Sequence, residues 1–108
     1  MYRDRRYSTV GVVNGVTKPI VFTVTGSWFA SDSAAYDRGY TELELVTTTN
    51  DMWVLRRTTK NQRADVEKET HHVFDTREDV IKTLDPIKAL DRSLLEKLGE
   101  IDNVCEEV

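Results

Sequence analysis

Three groups of side chains have the residue types and spacing to do chemistry. The first is two carboxylate pairs, Glu42 with Glu44 and Glu67 with Glu69. Carboxylates two residues apart share a face when the chain is extended, and such a pair can hold a divalent cation or divide the roles of general acid and base. The second is the adjacent histidines, His71 and His72. On a strand they point to opposite faces and cannot share a metal, whereas His72 with Glu67 or Asp75 would make an acid–base pair. The third is basic: Arg56, Arg57, Lys60 and Arg63, with Trp28, Phe29 and Tyr40 as aromatic neighbours. Cations for phosphates and aromatics for bases are the parts of a nucleic-acid surface.

Each group also has a plain structural reading. Solvated strand faces produce the same i, i+2 acids, and Arg56 is a suitable partner for Glu44. A sequence pI of about 5.1 opposes a dedicated nucleic-acid binder. No P-loop, Rossmann glycine pattern, nucleophile elbow, zinc-finger spacing or EF-hand loop is present. One cysteine and two histidines nearly exclude a structural zinc site within one chain. The expectation is therefore a non-catalytic protein with no cofactor and no metal.

The elements that would position these residues centre on positions 40–59. Leu43 and Leu45 alternate with Glu42 and Glu44, the period of a half-buried strand with the acids facing water. Residues 49–51, Thr-Asn-Asp, are turn formers, and residues 52–59 form the returning strand. A three-residue loop sets Leu45 against Leu55 and Glu44 against Arg56; a two-residue turn would oppose Leu45 to Arg56. Matching like with like favours the longer loop, because cross-strand pairs each contribute roughly 0.2–1 kcal/mol.

Upstream, residues 1–7 read as a loose basic lead-in, Asn14-Gly15 is a type I′ hairpin turn, and strands run over 8–13 and 16–25. That turn sets Val13 against Val16, Thr9 against Ile20 and Tyr7 against Phe22, leaving Val10, Val12 and Val21 on the other side. Pro19 marks an edge or an outward N–H position. A hairpin apolar on both faces needs a second cover, either another layer or a partner. Residues 26–39 read as a long irregular loop carrying Trp28, Phe29 and Tyr36, which either contact a partner or fold back to cap the core.

Downstream, residues 64–74 fit a strand, with helix as the alternative. Asp75 with Glu78 makes a capping box for a helix to Leu84. Pro86 opens a second amphipathic helix whose stripe is Ile87, Leu90, Leu94, Leu98 and Ile101, with a possible break near Asp91 or Ser93. Residues 103–108 read as a frayed tail. Over 1–63 there are nine basic and six acidic residues, a net +3; over 64–108 there are six and thirteen, a net −7.

The chain of 108 residues suits one small α+β domain, 1–108: an antiparallel meander sheet of four to five strands, then two C-terminal helices packed on one face. No apolar run approaches 18 residues, no signal peptide is recognised, and the lone Cys105 excludes an internal disulfide, which together suggest a reducing, cytoplasmic setting. The functional expectation is a small intracellular protein-binding or regulatory module, of inhibitor or adaptor type. Its contacts would be Val10, Val12, Val21, Trp28 and Phe29, and its partner another protein or a second copy in a homodimer, with no membrane partner. The alternative is a nucleic-acid-binding domain using Arg56, Arg57, Lys60 and Arg63.

Overall fold

Asn14 and Gly15 both adopt positive φ, 52° and 78°, as a type I′ turn requires. They join β1 (Arg6–Val13) to β2 (Val16–Ser31) in the expected register, Val13 with Val16 and Tyr7 with Phe22. The computed structural model describes residues 5–32, 39–61 and 66–108. β2 does not stop at Thr25. It runs for 16 residues through Trp28 and Phe29, so the irregular loop expected over 26–39 is strand as far as Ser31. Its first half pairs with β1; beyond an irregularity between Val24 and Gly26 it pairs with β3 (Tyr40–Thr48). Such a bulge bends a strand and increases its twist.

β3 returns as β4 (Trp53–Asn61) with Leu45 opposite Leu55 and Glu44 opposite Arg56. The loop is the three-residue one: Thr48 N–H donates to the Met52 carbonyl, and Asp51 takes the left-handed conformation at φ 59°. β4 pairs along its whole length with β5 (Val66–Phe74), so the segment expected over 64–74 is strand from Val66 onward; residues 64 and 65 lie outside the described residues.

The expected open antiparallel sheet is corrected here. Val12 and Val13 pair with His72 and Val73, so β1 and β5 join and the sheet closes into a five-stranded barrel in the order β1-β2-β3-β4-β5. An up-and-down path with an odd number of strands brings the first and last together in the same direction, so this closing pair is parallel and the barrel is mixed. Closure supplies the cover that the two-faced hairpin needs for its inner side. Phe22, Val24, Val46 and Val54 fill the barrel, joined by Tyr7, Ile20 and Val73.

Three helices follow rather than two. α1 (Arg77–Thr83) is capped by Thr76, whose Oγ1 accepts from Asp79 N–H at 3.2 Å, one residue later than the expected Asp75 cap. α2 (Ala89–Lys97) ends at Gly99, φ 73°, where Gly99 N–H and Glu100 N–H bond back to the Glu96 and Leu95 carbonyls. α3 (Ile101–Val104) is a separate turn cut from the expected long helix by that glycine. Val80, Leu84, Leu94, Leu95 and Leu98 cover the outer side of the sheet at Ala30, Leu43, Leu45 and Leu55. β3 is consequently buried on both faces: its leucines lie under the helices and its intervening residues lie inside the barrel.

Candidate functional site

Glu42 and Glu44, expected to face water, point into the barrel, because the leucine face of β3 is the one taken by the helices. Glu44 is 0% exposed. What makes this tolerable is Arg56, its partner on β4. Arg56 Nη2 lies 3.0 Å from Glu44 Oε1 and 3.6 Å from Glu42 Oε2, and Nη1 donates to Thr58 Oγ1 at 2.5 Å. A buried carboxylate without such a partner costs several kcal/mol, roughly, so the pair has to be kept together. A guanidinium between two carboxylates also occupies the place a shared cation would take.

The same inward row on β5 carries Glu69 and His71. His71 Nε2 lies 3.3 Å from Glu69 Oε1, and His71 is 3% exposed. Its ring stands 6.4 Å from that of Phe22, which stacks on Tyr7 at 5.8 Å. Burial lowers the His71 pKa below the ordinary histidine value; Glu69 opposes this, while Arg56 and His72 add to the lowering. Ser31, in register with Glu42, has its Oγ buried with no hydrogen-bond partner. Ion pair, histidine and hydroxyl together make a polar end of the barrel interior; the apolar residues fill the end near the Asn14-Gly15 turn. His72 lies on the opposite face and is exposed, and the histidine that the structure sets beside a carboxylate is His71, with Glu69.

The basic cluster is divided by the pleat. Arg56 points inward. Arg57 points outward to α2, where its Nη2 lies 3.3 Å from Asp91 Oδ1. Lys60 is partly exposed near the end of β4, and Arg63 lies outside the described residues. Asp91 itself is buried, and its second oxygen accepts from Asp85 N–H at 2.9 Å, tying the α1–α2 connection to the sheet. A fixed pin of this kind was not legible as a pair, since 34 residues separate its partners.

The five residues expected to contact a partner separate in the same way. Trp28 faces the helices, stacked on Trp53 at 5.7 Å, and packs against the helix-side core. Phe29 is partly buried, in register with Glu44, and its carbonyl accepts from Lys97 Nζ of α2. Val10 and Val21 stand 57% and 50% exposed on the outer side of β1 and β2, with Val12 partly exposed beside them and Pro19 opposite Val10. The helices pack elsewhere: α2 meets β2 and β3, and α1 meets β4 and β5.

Among the described residues, no group of three or more His, Cys, Asp or Glu side chains is arranged to hold a metal ion, and no helix is long and apolar enough to cross a membrane. Comparison with protein families, with curated proteins and with solved structures finds no match to this chain.

Proposed function

We propose that this chain is a small protein-binding module of inhibitor or adaptor type, docking through the outer face of the β1–β2 hairpin. The observation that carries this is the row of Val10, Val12 and Val21 on a strand pair whose inner side is filled by the barrel core and whose outer side no described helix covers. Apolar side chains gathered on one outer face mark interaction sites more often than the same residues scattered singly. Lys18 and Pro19 sit on the half of β2 that pairs only with β1, and edge Lys and Pro discourage strand-to-strand addition. The partner therefore meets the face and not the edge. Trp28 and Phe29 support the core in this reading, and the inward ion pairs hold the barrel together.

A photo-crosslinking residue placed at Val10 tests this against the same residue placed at Thr83, on an exposed turn of α1. The expected result is an adduct at position 10 alone, suppressed by excess unmodified protein, with its mass telling a second copy from a different protein. Equal labelling at both positions, or none at position 10, overturns the proposal.

A further inference from the structure

The apolar end of the barrel is not completely filled. A cavity of about 110 Å³ opens between the two hairpin turns. Val13, Ile20, Phe22, Val54 and Val73 form its apolar floor, Val21 and Met52 its rim, Thr48 and Asn50 add a hydroxyl and an amide, and none of its lining residues is charged. Thr48 is 6% exposed and belongs to the inward row of β3, paired with Val24. Its Oγ1 accepts from Met52 N–H at 3.2 Å, which leaves the hydroxyl proton without an acceptor among the described residues. A buried donor left unused loses the hydrogen bonds it would have in water. Water held there would find polar side-chain partners only in Thr48 and Asn50, the low end of the roughly two to four that a buried water makes.

We infer that the barrel mouth is a binding site for a small uncharged molecule with a compact apolar body and one hydrogen-bond acceptor, seated on the valine floor with its acceptor on Thr48 Oγ1. Size sets the class. Apolar cavities of about 150 Å³ take up benzene, so this one suits a single five- or six-membered ring whose edge reaches the open mouth. A charged group seated on the valine floor is disfavoured because no lining residue carries an opposite charge to offset its lost hydration. The site opens from the barrel interior and meets the outer face only at Val21, which lines its mouth; its occupancy is read at the inward methyls and does not rest on how Val10 and Val12 are used.

Cyclopentanone and phenol are the probes, with benzene lacking a comparable acceptor and benzoate carrying a charge. Methyl spectra of isotopically labelled protein read their binding. Saturable shifts at Val13, Ile20, Val54 and Val73 are expected with cyclopentanone, phenol and benzene, and none with benzoate. Thr48→Val should weaken cyclopentanone about five- to ten-fold, the loss of one hydrogen bond, and leave benzene within two-fold. Because that variant also loses the contact to Met52 N–H, Val54→Ile supplies a second test: it keeps Thr48, adds a methyl group to the cavity, and should weaken every probe at least three-fold. Absence of saturable shifts at these methyls, benzoate binding as well as phenol, or cyclopentanone unaffected by Thr48→Val overturns the inference.

Discussion

Replacing Arg56 by methionine separates an ion pair that holds the barrel from one that is incidental to it. The substitution keeps most of the aliphatic stem and removes the guanidinium. Glu44, 0% exposed, would then stay in the interior without the group 3.0 Å from its oxygen, and Thr58 Oγ1 would lose its donor. Breaking a buried pair from one side costs about 3–5 kcal/mol. Unfolding entropy of roughly 2.1 cal/mol/K per residue over 108 residues makes 1 kcal/mol worth about 4 °C, so Tm should fall by about 13–22 °C. Differential scanning calorimetry at neutral pH reads this directly. The double variant Arg56→Met with Glu44→Leu should recover at least half of the loss, since the fully buried charge is gone and only the partly exposed Glu42 loses its ion-pair partner. A Tm drop under about 4 °C for the single variant, or a double variant no better than the single, would refute the reasoning that Arg56 makes the burial of Glu44 tolerable.

Other measurements follow from the same structure. The folded-state pKa of His71 is lowered, chiefly by burial, so its contribution to stability is complete above the unfolded value of about 6.5 and is lost as pH falls from there towards the folded value. Urea titrations across that window should show stability falling with pH, and His71→Gln should flatten the slope; an unchanged slope would place the titrating group elsewhere. Asp91→Ala should cost about 2–3 kcal/mol, because Arg57 and Asp85 N–H lose a buried acceptor together; Asp91→Asn, which retains an acceptor oxygen, should cost less by the same titration. Gly39 has φ 112°, and an added Cβ would come within 2.0 Å of the Lys60 carbonyl oxygen, a backbone atom that cannot step aside. Gly39→Ala should therefore destabilise the fold by well over the roughly 0.5 kcal/mol of a surface change, read as a fall in Tm. Val10→Asp, on the exposed outer face, should leave Tm within about 2 °C, matching the ±0.5 kcal/mol typical of surface sites; a large drop would show that the face is needed for folding.

Local rules settled the two hairpins before any tertiary contact was known. Asn14-Gly15 is confined to a tight turn by its backbone preferences, and the register follows by counting outward from it. The Leu45–Leu55 and Glu44–Arg56 pairings follow from matching apolar with apolar and acid with base, which selects the three-residue loop over the two-residue turn. The helix positions were legible from the apolar spacing of Val80, Leu84, Leu94 and Leu98, although the break falls at Gly99 and not near Asp91 or Ser93, and Thr76 rather than Asp75 is the cap. Period two says which residues share a face; it does not say what lies beyond that face. Glu42 and Glu44 share the face opposite the leucines, and water was the natural expectation for it. Whether that face meets water or a barrel interior depends on whether β1 reaches β5, a contact between Val12 and His72 some 60 residues apart whose pairing no local pattern encodes. Closure moved Glu44, Arg56 and His71 inside, sent Arg57 outward to Asp91, and divided a basic cluster that is contiguous only along the chain. It also left Val10 and Val21 outside, exposed on the outer side of β1 and β2.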